Sequence, residues 1–262
     1  MVDIHQLVHR QLLRWEAEAR ARREQYRPER QVTEPHPFVT VSREMGSLGV
    51  EVAVLVAEAL HWPCMDRQVV DFVAKDMQVG ERMISALDDH VRGYIEAWAA
   101  SFAHGRHVES SDYVRHLART IRALVQHGPV VIVGRGAHVI LASLRNRGLS
   151  VRIIAPMEVR VKRVAAAEGI SIEAARAKVT QSDQARDHFL RASFGTTLDA
   201  VHQFDLVVNT EHMDARQAAE VVLSAVRARG LDRPATSPAA AVQPGATRLA
   251  GTHRRSSLPD EL

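Results

Sequence analysis

The sequence predicts an α/β protein whose parallel sheet is covered by helices on both faces. Short runs rich in β-branched residues occur at 38–41, 129–133, 150–155 and 204–208, and each is followed by a stretch with helical spacing. The runs are largely apolar, as expected for strands that are buried on both faces. Strands that alternate with helices in this way form parallel sheets.

The composition limits the class of protein. Of the 262 residues, 46% are hydrophobic, which is enough for a sizeable core. The formal net charge is +3, and acids and bases are interspersed over most of the chain, so we expect no nucleic-acid partner. Only Lys75, Lys162 and Lys178 are lysines, and phosphate contacts are therefore expected from arginine.

The residue usage also predicts the compartment. Cys64 is the one cysteine, so no internal disulfide can form, and no HExxH pattern indicates a metal site. No stretch approaches the roughly 18 uncharged apolar residues that span a bilayer. We expect a cytoplasmic protein with no bound metal and no membrane partner.

Three segments are predicted along the chain. Residues 1–36 form an amphipathic helix, with Leu12 and Trp15 on its apolar side, and a proline-rich linker. Residues 37–230 form the folded domain, and residues 231–262 form a disordered tail rich in proline, alanine and serine. The helix either packs on the domain or joins two copies as a homo-oligomer, and amphipathicity leaves both open.

Two helical segments interrupt the alternation of strands and helices. Residues 67–126 form a long, mainly helical insert, and residues 169–197 form a second, charged insert before the last strand. Inserts at the ligand edge of a parallel sheet often act as covers. We expect these two segments to frame a binding cleft.

A glycine-containing turn after the first strand is the first candidate site. Ser42, Gly46, Ser47 and Gly49 lie where bare backbone amides and the positive end of a helix favour a phosphate. The lysine and hydroxyl of a complete Walker loop are missing. A dinucleotide fingerprint with Asp66 as its acid lacks the first glycine, and a merely structural turn stays open.

Arginines follow later strands at the same edge. Arg135 stands between two glycines after the second predicted strand, where the positive start of a helix would repel it unless an anion lay between them. Arg160 and Arg163 share one helix face, and Asp183 and Arg186 repeat that spacing on the second insert. Each pair alone is also typical of a solvated surface.

In their order these motifs resemble the cytidylate kinase-like proteins, a branch of the P-loop nucleoside monophosphate kinases. The resemblance covers about residues 38–229, and its motifs in chain order are Ser42-Arg43 with the turn 46–51, Met65-Asp66-Arg67, the segment 131–137, the segment 155–163, Asp183-x-x-Arg186 and the segment 204–210. It implies an α/β fold with a parallel five-stranded P-loop kinase-type sheet covered by helices, a helical acceptor insert and a lid.

The resemblance also implies a role for each matched residue. The donor would be ATP with its magnesium ion, held at Ser42, Gly46, Ser47 and Gly49. The acceptor would be a nucleoside monophosphate such as CMP, held by Asp66, Arg67 and Arg135. The catalytic groups around the transferring phosphoryl group would be Arg43, Arg160, Arg163, Asp183 and Arg186, with Asp183 orienting the lid.

The turn departs from the family pattern at two positions. Leu48 replaces a loop glycine and Val50 replaces an arginine. We hypothesise that Arg43, at the end of the first strand, substitutes for the lysine of a Walker loop. Two functions stay open, an ATP-dependent kinase of a pyrimidine monophosphate and a non-catalytic nucleotide-binding sensor or partner-binding protein on the same fold.

Overall fold

The computed structural model describes residues 4–24, 34–87, 89–104 and 112–232, so the predicted tail lies almost entirely outside the described residues. Five strands within these ranges form one parallel sheet in the order β2-β3-β1-β4-β5. They are β1 (Phe38–Arg43), β2 (Cys64–Met65), β3 (Val130–Val133), β4 (Gly148–Ile154) and β5 (Leu206–Asn209).

Helices cover both faces of this sheet. Over the described residues they are α1 (Ile4–Glu24), α2 (Gly49–Leu60), α3 (Arg67–Lys75), α4 (Met77–Ser85), α5 (Asp89–His104), α6 (Asp112–His127), α7 (Ala137–Ile140), α8 (Met157–Glu168), α9 (Ile172–Phe194) and α10 (Ala215–Ala228). Helices α3 to α6 correspond to the first predicted insert and α9 to the second. No described helix combines the length and the hydropathy needed to cross a bilayer.

The strands are apolar on both faces because both faces are buried. In β3, Val130 and Ile132 belong to the core under α3 and α6, whereas Val131 and Val133 belong to the core under α2 and α10. Successive side chains of a strand point to opposite faces, so only a run without polar interruption fits this position. The predicted parallel α/β fold is confirmed.

The hydrophobic pattern of the sequence did not predict strand β2, and the reason is physical. It contains two residues, Cys64 and Met65, and pairs only with β3 at the edge of the sheet. Two residues are too few for any periodicity to emerge. The family resemblance, rather than the hydrophobic pattern, predicted the fifth strand.

The N-terminal helix packs on the domain. Val8, Leu12 and Trp15 of α1 are buried in the core with α3 and α4, and the Trp15 ring stacks on His127 with centroids 4.3 Å apart. The apolar side offered as an oligomer surface is therefore covered by the same chain. At the other end, Leu231 is also buried, so the folded part includes the first residue assigned to the tail.

We expect Trp15→Ala to lower the free energy of unfolding by about 3 kcal/mol, because truncating a buried indole removes apolar burial and leaves a void. Leu13→Ala on the same helix is the matched control, since Leu13 is 50% exposed, and should cost less than about 1 kcal/mol. Urea unfolding of the full chain measures both values. Equal values would contradict the packing of α1 on the domain.

Candidate active site

The carboxyl ends of the five parallel strands meet at one edge of the sheet, the edge at which α/β proteins bind ligands. The turn after β1 lies there beside the Gly134–Gly136 turn after β3 and the start of α8 after β4. The sheet thus gathers segments that are far apart in sequence. The predicted site residues lie at the ends of the strands, in the turns that follow them, or in helices α2, α3, α8 and α9.

The turn between β1 and α2, residues 44–48, is held from within. Gly46 has a φ of +80°, and an added Cβ would lie 2.6 Å from the Arg160 carbonyl oxygen, so only glycine fits. The Ser47 hydroxyl donates to the carbonyl oxygens of Glu44 and Ile153 at 2.9 and 3.1 Å. Leu48 caps α2 with a left-handed backbone and no side-chain hydrogen bond, which leaves the first amides of α2 without a side-chain cap.

Arg43 fills space that two glycines leave open. A Cβ added to Gly49 would lie 2.4 Å from Arg43 Cβ, and one added to Gly134 would lie 2.9 Å from an Arg43 guanidinium nitrogen. The side chain therefore runs from the start of α2 to the turn after β3. Its Nε has no hydrogen-bond partner among the described residues. Burial, and then the neighbouring Arg186 and Arg67, lower the pKa of Arg43 to about 10, so it stays charged at neutral pH.

A cavity of about 120 Å³ opens above Arg43. Its walls carry four guanidinium groups, those of Arg43, Arg67, Arg135 and Arg186. Apolar side chains of α9, including Phe189, and the polar side chains of Ser42 and His138 complete the lining. Four cations around so small a volume make the cavity wall positively charged, which favours an anion there.

Arg135 is the most constrained of the four. It has a φ of +53° between Gly134 at +80° and Gly136 at +66°, and three successive left-handed residues are a strained backbone for a non-glycine side chain. Its guanidinium forms an ion pair with Asp71 and lies 5.3 Å from the centre of the Phe189 ring. The strain and the partners together fix the direction in which Arg135 points.

Asp183 joins the lid helix α9 to the turn after β1. Its carboxylate accepts hydrogen bonds from Arg160 at 2.6 Å, from Arg186 at 3.1 Å and from the Met45 amide at 3.5 Å. Arg160 also pairs with Glu44 at 3.2 Å and donates to the Ala155 carbonyl oxygen. Arg160 is thus committed to protein partners and does not line the cavity.

Arg163 likewise binds the backbone of the turn. It donates to the Thr210 carbonyl oxygen at 2.6 Å, to the Thr210 hydroxyl at 3.1 Å and to the Gly46 carbonyl oxygen at 3.5 Å. The Thr210 hydroxyl in turn donates to the Ser47 carbonyl oxygen at 2.9 Å. Arg163 and Thr210 therefore hold the turn in shape.

Asp66 and Arg67 are neighbours in sequence that have separate positions. The Asp66 carboxylate accepts from the Val69 amide at 2.9 Å as the N-cap of α3 and does not line the cavity, whereas Arg67 does. An acidic residue that the sequence motifs did not reveal, Asp71, lies one helical turn beyond Arg67. Tyr113 donates its hydroxyl proton to Asp71 at 2.8 Å.

His138 is a further group that sequence reasoning missed, although it directly follows the Gly134-Arg135-Gly136-Ala137 motif. Its Nδ1 lies 3.3 Å from the Ser42 hydroxyl, and its ring stacks on Phe204 with centroids 4.7 Å apart. Burial lowers its pKa to about 4, so the ring is neutral at physiological pH. A neutral imidazole beside the cavity orients the Ser42 hydroxyl without adding charge.

Of the predicted site residues, the structure brings five together around the cavity, namely Ser42, Arg43, Arg67, Arg135 and Arg186. Six others hold the neighbouring turn or its contacts with α8 and α9, namely Gly46, Ser47, Gly49, Arg160, Arg163 and Asp183. No group of three or more His, Cys, Asp and Glu side chains arranged for a metal ion is found in the described part of the chain.

The strand order, the parallel register and the turn that leads into α2 define a P-loop kinase-type α/β protein. The model of the cytidylate kinase-like family matches residues 38–212, more than half of the chain. The chain belongs to this family.

Named relatives match a smaller part. The chain is 32% identical over 102 residues to a cytidylate kinase of Pyrococcus horikoshii and 30% identical over 97 residues to one of Methanothermobacter thermautotrophicus. These matches cover 38% and 37% of this chain and 51% and 58% of the relatives, so the chain spans about half their length. A crystal structure of an uncharacterized protein from Eubacterium ventriosum is similar in fold, with a TM-score of 0.59 at 21% identity over 74% of this chain and 99% of that one.

We expect acid to destabilise the fold through His138. Its pKa is about 4 when folded and near 6.5 when unfolded, so the unfolded chain binds the proton first as the pH falls. The contribution of neutral His138 to the free energy of unfolding is fully present above about pH 6.5. About 2 kcal/mol of this contribution is lost between about pH 7 and about pH 5.

Urea unfolding at about pH 7 and about pH 5 measures the contribution of His138 when the unmodified protein is compared with His138→Gln. His61→Gln at an exposed position is the control and should leave the pH dependence of the unmodified protein intact. A variant at position 138 with the same pH dependence as the unmodified protein would show that His138 is not the group responsible.

Proposed function

We propose that the protein is a nucleoside monophosphate kinase-like phosphotransferase that converts ATP and a pyrimidine monophosphate such as CMP to ADP and the diphosphate. The observation that carries the proposal is the cavity lined by Arg43, Arg67, Arg135 and Arg186, at the ligand edge of a P-loop kinase-type sheet. Arginine binds phosphate through paired, charge-assisted hydrogen bonds. The choice of CMP follows from the family and from the names of the relatives.

The acceptor phosphate would lie in the arginine cavity. Arg67 and Arg135 face it from α3 and from the turn after β3, and Arg186 faces it from the lid helix α9. Several guanidinium groups around one phosphate orient it and neutralise its charge, so that one of its oxygens can attack. The apolar side chains of α9, including Phe189, exclude water from this side.

The donor phosphates would lie against the turn 44–48 and the first amides of α2. Those amides carry no side-chain cap, and the positive end of the helix points towards the site. Magnesium enters with ATP as part of the substrate. In the transfer step a bond forms between the acceptor phosphate oxygen and the γ-phosphorus, the bond from that phosphorus to the β,γ-bridging oxygen breaks, and ADP leaves with the electron pair.

Arg43 would supply the charge that lysine supplies in a Walker loop. Its side chain runs from the start of α2 to Gly134, and its guanidinium lies at the Gly134 end, beside the proposed acceptor position. It is half-buried and charged, and its Nε has no partner among the described residues. Such a cation stabilises charge that develops on the transferring group.

A second candidate function is a nucleotide-binding protein without turnover. The Ser47 hydroxyl donates to two carbonyl oxygens and is not directed to a ligand, and Val50 and Glu51 at the start of α2 add no positive charge. These features weaken the donor site and leave the acceptor cavity unchanged. If Arg43 does not supply the missing positive charge, these features favour nucleotide binding without catalysis.

A coupled ADP-release assay with MgATP and each of CMP, UMP, AMP and GMP tests the proposal, and we expect CMP to give the highest kcat/KM. Arg135→Ala should weaken CMP binding by about 1.5–3 kcal/mol, the value of a hydrogen bond to a charged group. Arg191→Ala, at an exposed arginine of α9, is the matched control. Binding of ATP without turnover on any monophosphate would select the second candidate.

We expect Arg43→Ala to reduce kcat by about 10²–10³ while the Kd for ATP changes by less than about threefold, because the contact is strongest in the transition state. Arg43→Lys keeps a cation and should retain more turnover than Arg43→Ala. Single-turnover rates and ATP titrations of both variants measure the two effects separately. Equal losses in rate and in ATP affinity would reduce Arg43 to a binding residue.

A further inference from the structure

Asp71 connects three elements at the wall of the arginine cavity. It belongs to α3, and one of its carboxylate oxygens binds Arg135 from the turn after β3, with Nε of Arg67 at 3.9 Å. Its other oxygen accepts the hydrogen bond from Tyr113 of α6 at 2.8 Å. Both carboxylate oxygens are therefore engaged, and only 18% of the side chain is exposed.

The partners of Asp71 differ in kind. Arg135 and Arg67 line the cavity, whereas Tyr113 does not. Burial, and then the hydrogen bond to Asp71, raise the pKa of Tyr113, so the phenol remains a proton donor over the whole physiological range. Tyr113 therefore holds the carboxylate in place without lining the cavity itself.

We propose that Asp71 is a positioning residue of the acceptor site, which turns Arg135 and Arg67 towards the same phosphate group and is itself fixed by Tyr113. The proposal rests on the function proposed above and deepens it. Asp66, to which the family resemblance assigned an acceptor role, caps α3 instead. Asp71 is the carboxylate that contacts Arg67 and Arg135 in the cavity wall, whereas Asp183 contacts Arg186.

Geometry and charge predict opposite effects for the removal of this carboxylate. If Asp71 only offset positive charge, Asp71→Asn would leave a more positive cavity and would tighten the binding of phosphate. If it positions the two arginines, the variant frees their side chains and weakens binding, because an unconstrained guanidinium loses entropy when it binds. The sign of the change therefore separates the two roles.

The test is calorimetric titration of CMP, and separately of inorganic phosphate, into the full chain carrying Asp71→Asn, Tyr113→Phe or both. We expect Asp71→Asn to weaken both ligands about tenfold and Tyr113→Phe about threefold. The double variant should match Asp71→Asn alone, because Tyr113 acts through Asp71. Asp112→Asn, at an exposed residue beside Tyr113, is the control and should bind as the unmodified protein does.

Kinetics separate positioning from a merely structural role. In Asp71→Asn the KM for CMP should rise about tenfold while kcat and the KM for ATP stay within about twofold, because only acceptor binding is altered. A structural role would instead lower kcat and the unfolding temperature and raise both KM values. If Asp71→Asn does not fold, Tyr113→Phe tests the proposal instead. In that variant the KM for CMP should rise about threefold while kcat and the KM for ATP stay within about twofold.

Several results would overturn the proposal. They are tighter or unchanged binding of CMP and phosphate in Asp71→Asn, multiplicative losses in the double variant, and no binding of either ligand by the unmodified protein. Binding of CMP without ADP release, by contrast, would end the kinase proposal and leave the role of Asp71 to be judged on the titrations alone.

Discussion

The packing of Arg43 between Gly49 and Gly134 is the constraint on which the geometry of the cleft depends. A Cβ at position 49 would lie 2.4 Å from Arg43 Cβ, so only glycine fits there, and a Cβ at position 134 would lie 2.9 Å from the guanidinium. The arginine and the two glycines therefore pack as one structural unit. Through this unit the start of α2, where a donor phosphate would bind, lies next to the turn that carries Arg135.

Four of the other arginines near the cleft divide into two groups by what they bind. Arg160 and Arg163 donate to carbonyl oxygens and carboxylates of their own chain, and so determine the shape of the turn after β1. Arg67 and Arg135 instead share a carboxylate that leaves part of each guanidinium facing the cavity. The first group thus holds the turn, while the second would supply charge to the proposed ligand.

Sequence reasoning predicted the fold well because burial on both faces imposes an apolar run on each longer strand, as in β3. It identified Arg135 because an arginine at a helix start is electrostatically unfavourable without an anion. It could not find Asp71, which lies in an insert helix without any motif. Nor could the three-residue spacing of Arg160 and Arg163 reveal whether that shared face meets a phosphate or a backbone carbonyl.

The small cavity has a consequence for how much of a ligand it could enclose. About 120 Å³ is well below the roughly 300 Å³ at which clefts for small molecules begin, so the cavity has room for a phosphate group and not for a whole nucleotide. Under the proposed function, the sugar and the base would therefore lie outside the arginine cavity. Discrimination between bases would then depend on residues other than the four arginines, which would face the group that all nucleoside monophosphates share.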